Sequence, residues 1–164
     1  MRKFTTVLTA LLFSLSLGVL NTGTAQAVGY GYWSTLDNGY YLGAPLCATP
    51  EGNSTANGAI ITQWRCTGSD LQQWMQSSDN RIVHKSSGKC LTPSGDASGT
   101  NGAVLTLWTC NSSAASQLFV VGYSHTFTQH GGKCITPKGN SWADGAYLTL
   151  WTCGEPAPPV QRWN

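Results

Sequence analysis

Apolar residues in this chain come in short alternating bursts, and no stretch carries the 3.6-residue spacing of a helix. Gly, Asn, Asp, Ser or Pro breaks the pattern every 8 to 12 residues, the character of a many-stranded β domain. The bursts recur in one order. Tyr32 to Leu36, Arg81 to His84 and Thr126 to Gln129 read as first strands, each followed by a turn at Asp37-Asn38-Gly39, Ser86-Ser87-Gly88 or His130-Gly131-Gly132. A second strand runs through Cys47, Cys90 or Cys134 into a Thr-Pro-x-Gly loop (Thr49 to Gly52, Thr92 to Gly95, Thr136 to Gly139). Asn57-Gly58, Asn101-Gly102 and Asp144-Gly145 lead into third strands ending at Cys66, Cys110 and Cys153. Fourth strands carry Gln72-Gln73-Trp74, Gln117-Leu118-Phe119 and Gln161-Arg162-Trp163. Four strands in each of three units predict twelve.

The period is near 44 residues: the first cysteines lie 43 and 44 apart, and Trp64, Trp108 and Trp151 lie 44 and 43 apart. The same punctuation three times implies pseudo-threefold architecture, with units at approximately 30–76, 77–120 and 121–164. One such unit cannot bury its apolar face, whereas three around an axis can close a barrel without exposed strand edges.

Side chains of a strand alternate between faces. In the third strands, Leu105 and Leu107 oppose Val104, Thr106 and Trp108, and Leu148 and Leu150 oppose Tyr147, Thr149 and Trp151. The leucine pair is the core face, which puts threonine and tryptophan together outside. In unit 1, Ile61 and Gln63 take the inward positions opposite Ile60, Thr62 and Trp64, so this unit either buries a hydrogen-bonded amide or packs more loosely. Trp74, Phe119 and Trp163 are expected to fill the shared centre.

Composition narrows the setting. Arg2 and Lys3, the apolar run Val7 to Leu20 and the small-x-small Ala25-Gln26-Ala27 read as a signal peptide over residues 1–27. The expectation is a secreted chain starting near Val28, with one domain over 28–164 and no membrane association after cleavage. Without Arg2 and Lys3 the charge falls from +2 to zero, with seven basic and seven acidic residues left. Only 10% of residues are charged and no basic stripe occurs, so nucleic acid is not an implied partner. Six cysteines in a secreted chain imply disulfides. Of the 15 connectivities open to six cysteines, only Cys47–Cys66, Cys90–Cys110 and Cys134–Cys153 treat the three units alike. No metal or cofactor is expected.

These elements resemble the ricin-B-type β-trefoil lectins with their Q-x-W repeats. Carrying the resemblance are Gly88 to Leu91 and Gly132 to Ile135 (Gly-Lys-Cys-Leu/Ile), the Asn/Asp-Gly turns, the Leu-Trp-x-Cys strands and the terminal Gln-x-aromatic. It implies an all-β trefoil: a six-stranded barrel capped by three hairpins, non-catalytic, binding simple sugars or polysaccharides. The family stacks an aromatic ring on a pyranose and fixes the hydroxyls with a carboxylate and amides. The ring maps onto Trp64, Trp108 and Trp151, and the glutamine before it onto Thr62, Thr106 and Thr149. The aspartate after the first cysteine maps onto Thr49, Thr92 and Thr136, and the final glutamine onto Gln72, Gln117 and Gln161. The chain thus keeps the ring and last glutamine but has threonine in place of the carboxylate in all three units. A charge-assisted hydrogen bond contributes about 1.5–3 kcal/mol and a neutral one about half that, against about −4 kcal/mol for millimolar binding. Sugar binding then depends on other polar groups; Asn53, Asp96 and Asn140, at matching positions, either replace the carboxylate or cap the turn.

Catalysis finds no constellation. His84, His125 and His130 are non-equivalent, and the acids fall mainly in turns with no acid/base pair. Asn53-Ser54-Thr55 and Asn111-Ser112-Ser113 are N-glycosylation sequons. The expectation is a monomeric, secreted carbohydrate-binding protein with up to three shallow sites, its partner a polysaccharide or cell-surface glycan. The alternative is a trefoil that has left sugars and binds a protein partner as an inhibitor, adhesin or toxin subunit.

Overall fold

The computed structural model describes residues 31–39 and 44–164. The leader and cleavage site expected at 1–27 lie outside the described residues. Eleven strands form among those described, with 3-10 turns and no α-helix. Unit 1 contains β1 (Ser34–Thr35), β2 (Leu46–Pro50), β3 (Ile61–Arg65) and β4 (Gln73–Gln76). Unit 2 contains β5 (Ile82–His84), β6 (Cys90–Pro93), β7 (Leu105–Trp108) and β8 (Phe119–Val121). Unit 3 contains β9 (Phe127–Gln129), β10 (Lys133–Pro137) and β11 (Leu148–Thr152).

No strand forms at Gln161-Arg162-Trp163, although the 3-10 turn over Pro159–Gln161 repeats those that lead into β4 and β8 at Asp70–Gln72 and Ala115–Gln117. The residues after the turn still close the molecule. The Trp163 N–H donates to the His125 carbonyl at 2.8 Å, and Asp37 and Asn164 exchange backbone bonds at 3.2 and 2.7 Å. The last unit is thereby tied to the first.

Each unit is built on one hairpin: β2–β3, β6–β7 and β10–β11, all antiparallel and in the same register. The first cysteine faces the tryptophan across each hairpin (Cys47↔Trp64, Cys90↔Trp108, Cys134↔Trp151), and Thr49, Thr92 and Thr136 face Thr62, Thr106 and Thr149. The three disulfides close these hairpins with the pairing expected from the repeat. A loop of 18 or 19 residues closed this way removes about 3 kcal/mol of unfolded-chain entropy.

Inward positions follow the alternation. Leu105, Leu107, Leu148, Leu150 and Ile61 are wholly buried, as are Trp74, Phe119 and Trp163 in one shared core. The indole N–H groups of Trp74 and Trp163 donate to the Ala48 and Ile135 carbonyls at 3.0 Å, so neither ring buries an unpaired donor. Gln63 resolves the choice left open for unit 1. It is fully buried and satisfied: Oε1 accepts from Asn38 Nδ2 at 3.0 Å, and Nε2 donates to the Ser141 and Ala143 carbonyls at 2.7 and 3.1 Å.

The three hairpins also pair with one another. Isolated bridges join Ile60 to Thr106, Val104 to Thr149 and Thr62 to Tyr147. The third strands therefore make a triangle around the pseudo-axis, each contacting the other two.

Candidate functional site: three equivalent tryptophan clefts

Trp64, Trp108 and Trp151 are each 49% exposed, identical across the three units. Each stands at the end of its third strand, on the face opposite the leucines, and lines a cleft of about 570, 280 and 230 Å³ in units 1, 2 and 3 (clefts 1, 2 and 3). Opposite the indole runs the Thr-Pro-x-Gly turn. Proline ends the strand, glycine takes a left-handed conformation, and the next residue does too: φ is 59° at Asn53, 53° at Asp96 and 56° at Asn140. Asn and Asp tolerate that conformation because their short side chains bond locally. The three candidate replacement groups thus serve the turn, and they also line the clefts.

Behind the clefts the threonines and glutamines form one repeated network. The hydroxyls of Thr49, Thr92 and Thr136 donate to the carbonyl of the preceding cysteine (Cys47, Cys90, Cys134) at 2.9–3.0 Å. Those of Thr62, Thr106 and Thr149 donate to the Thr49, Thr92 and Thr136 carbonyls at 2.9–3.0 Å. Gln72, Gln117 and Gln161 clamp both strands. Nε2 donates to the first threonine's Oγ1 (3.0, 3.0 and 2.9 Å) and to the carbonyl of Arg65, Thr109 or Thr152 (2.9, 3.1 and 3.0 Å). Oε1 accepts from the N–H of Thr67, Asn111 or Gly154 (2.6, 2.8 and 2.8 Å). All nine residues are buried, none more than 9% exposed. The alternation places the threonines on the tryptophan's face, but the glutamine segment folds over them. Both N–H donors of each glutamine are spent, so what the network offers a ligand is lone pairs on threonine oxygens.

Every cleft is shared between two units. Gly58, Gly102 and Gly145 line clefts 2, 3 and 1, each belonging to the unit before the cleft's tryptophan around the ring. Their φ values are 85°, 83° and 81°, and a Cβ there would meet Cζ3 of Trp108, Trp151 or Trp64 at 3.5, 3.8 or 3.3 Å. The residue before each glycine reaches across. Asn57 accepts from the Thr109 N–H at 3.1 Å, Asn101 and Thr152 bond through their side chains at 3.1 Å, and Asp144 accepts from the Arg65 N–H at 3.1 Å. The Asn/Asp-Gly pairs read from sequence as turns are thus also inter-unit latches. That all three units carry a side-chain amide or carboxylate before the glycine was the available signal.

Differences between the clefts lie in their free polar groups. Cleft 2 holds Asp96, whose Oδ1 accepts from Ser116 Oγ at 2.8 Å, and Asn111, a residue sequence reasoning had singled out only as a sequon. Cleft 1 holds Glu51 and Asn53, and cleft 3 holds Lys138 and Asn140. Trp33 and Tyr32 are exposed (42% and 73%) but line none of the three clefts. His84 is buried against Trp74, ring centroids 4.7 Å apart, and bonds Ser87 Oγ and the Leu71 carbonyl. Burial pushes its pKa below the ordinary histidine value, Lys89 adds to that, and the Leu71 bond opposes it.

A family model described as the ricin-type beta-trefoil lectin domain matches residues 22–119 and again 95–164. The chain belongs to the ricin-type β-trefoil lectins. Among solved structures, this lectin domain is similar to the designed threefold-symmetric protein ThreeFoil (TM-score 0.69, 23% identity, 80% of this chain and 96% of that one). It is similar also to the C-half of the earthworm R-type lectin in complex with GalNAc (TM-score 0.64, 15% identity, 80% and 95%). A third likeness is to the exo-beta-1,3-galactanase 1,3Gal43A from Clostridium thermocellum (TM-score 0.63, 26% identity), where this chain's trefoil covers 80% of itself and only 30% of the enzyme chain. The sequence matches no curated protein.

Proposed function

We propose that this ricin-type lectin domain is an exported, non-catalytic protein that holds sugar residues of a polysaccharide or cell-surface glycan in up to three clefts. Three equivalent half-exposed indoles, each flanked by the same hydroxyl- and amide-bearing turn, carry the reading. A pyranose laid on the ring covers its apolar C–H face, while its hydroxyls reach threonine oxygens and the Asn53, Asp96 or Asn140 side chain. Asp96 gives cleft 2 a carboxylate, with Ser116 holding one oxygen, in place of the aspartate that threonine replaces at position 92. Non-catalysis rests on the clefts' own acids: cleft 1 is lined by Glu51, cleft 2 by Asp96 and cleft 3 by none, so no cleft offers the carboxylate pair of glycoside hydrolysis. Single sites of this kind are weak, and repetition on a polymer raises their avidity.

Titration of the whole chain with neutral and acidic oligosaccharides and insoluble polysaccharides, read by tryptophan fluorescence, tests this. A buried tryptophan covers up to about 250 Å², so one sugar over part of the exposed half removes about 60 Å², about 1.5 kcal/mol at 25 cal/mol/Å². Trp108→Ala and Trp151→Ala should each lose about tenfold affinity at their own cleft. A silent fluorescence signal with every saccharide overturns the reading. The second reading, a protein-binding trefoil, is favoured by the spent amides and inward threonine hydroxyls, which leave the clefts few donors.

A further inference from the structure

The three clefts share a backbone and differ in charge. The residue after Thr-Pro forms the lip of each: Glu51, Ser94 and Lys138. Its N–H donates to the Ile60, Val104 or Tyr147 carbonyl at 2.8 Å in every unit, so the three side chains leave from equivalent places. Within an otherwise constant motif the lip thus reads acidic, neutral and basic. In cleft 1 the Tyr147 hydroxyl donates to Glu51 Oε1 at 3.3 Å. Cleft 2 carries Asp96. Cleft 3 has Lys138 and Asn140 and is lined by no carboxylate. Lys133 does not line the cleft; its Nζ donates at 3.1 Å to Oγ1 of Thr152. Unit 2 has Lys89 and unit 1 has Leu46 at the position of Lys133, so Lys138 is the cation particular to cleft 3. Among the described residues neither Lys133 nor Lys138 joins an ion pair. The Lys138 ammonium therefore stands in the cleft beside a half-exposed indole, with no carboxylate among the lining residues.

We propose that cleft 3 selects an acidic saccharide, one whose sugar bears a carboxylate or a sulfate, with Lys138 meeting the anion while the ring lies on Trp151. This rests on the saccharide reading above. Glu51 and Asp96 disfavour the same ligand in clefts 1 and 2, so the three pockets divide their specificity by charge. An ammonium-to-anion hydrogen bond is about twice as strong as a neutral one, a difference of about tenfold in affinity.

The test follows the indole N–H resonances of the full chain by NMR, with Trp151 assigned from a Trp151→Phe spectrum. Three probes are titrated: trigalacturonate, a neutral galactotriose and its 6-O-sulfated form. Either anionic probe should shift Trp151 before Trp64 and Trp108, and the comparison of the two tells carboxylate from sulfate. Lys138→Gln should weaken anionic binding at Trp151 about tenfold and neutral binding there by much less. Lys138→Glu should reverse the preference. High salt should act like Lys138→Gln on the wild type. The proposal is overturned if Trp151 takes anionic and neutral probes equally, or if the preference survives Lys138→Gln. Neutral binding at Trp108 alongside indifference of Trp151 to both anions sinks this proposal alone. Silence of every indole with every probe sinks it together with the saccharide reading.

Discussion

Replacing Gln117 by methionine separates scaffold from ligand contact. The side chain is 1% exposed, and its amide makes three hydrogen bonds at 2.8–3.1 Å to Thr92, Thr109 and Asn111. Those bonds join β6, the end of β7 and the loop after Cys110. Methionine fills a similar volume and makes none of them. Each bond contributes about 1 kcal/mol net, and the freed groups of Thr109 and Asn111, both on exposed residues, regain water. A loss of about 2–3 kcal/mol is therefore expected, offset slightly by methionine's apolar surface. With a urea dependence of about 1–3 kcal/mol per molar, the unfolding midpoint should fall by on the order of 1 M. Gln72→Met and Gln161→Met should fall by similar amounts, because each repeats the same three bonds. Saccharide binding measured well below the midpoint should weaken far less than in Trp108→Ala. An unmoved midpoint (a change under about 0.5 kcal/mol) with the fluorescence response to sugar lost would refute the reasoning and make the glutamine a direct sugar contact.

Other outcomes follow from single features. His84 is held below the ordinary histidine pKa chiefly by burial, so the unfolded chain takes up a proton near pH 6.5 and the fold only at lower pH. Its share of stability is complete above that value and drains as pH falls through it, by at most about 1.4 kcal/mol per pH unit. Urea midpoints at pH 7.5 and 5.5 should show the slope, and His84→Gln should flatten it, since Gln129 already holds the Ser116 carbonyl at 3.1 Å in unit 3. A slope unchanged in His84→Gln would count against this. Gly145→Ala forces a Cβ to φ 81° and to 3.3 Å from Trp64 Cζ3. It should cost about 1 kcal/mol or more in thermal unfolding and change the Trp64 emission. The paired change Cys90→Ala/Cys110→Ala opens a loop of 19 residues. It should lower stability by about 3 kcal/mol in chemical denaturation.

Much of this architecture was legible in the sequence because repetition amplifies weak signals. The cysteine pairing follows from the threefold repeat, and the outward tryptophans and inward leucines from period-two alternation within it. What misled was treating each strand as a two-sided ribbon. Thr62, Thr106 and Thr149 do share the tryptophan's face, yet they are buried. The segment that covers them arrives from the fourth strand, a contact that alternation along one strand does not encode. The twelfth strand does not form, although Trp163 still takes the buried place of Trp74 and Phe119 and bonds the His125 carbonyl. The latches at Asn57, Asn101 and Asp144 were hidden because a turn explains an Asn-Gly pair completely until its neighbour in space is known. Gln63, by contrast, could be recognised as anomalous from its inward position, and only its partners Asn38, Ser141 and Ala143 needed coordinates.

Because each indole rests against a glycine borrowed from the unit preceding it around the ring, the pockets and the units are not in one-to-one correspondence. Excising any single unit removes its own pocket and strips one wall from the next, so a two-thirds protein keeps one whole pocket rather than two. The triplet is therefore the smallest arrangement of this design with more than one complete pocket.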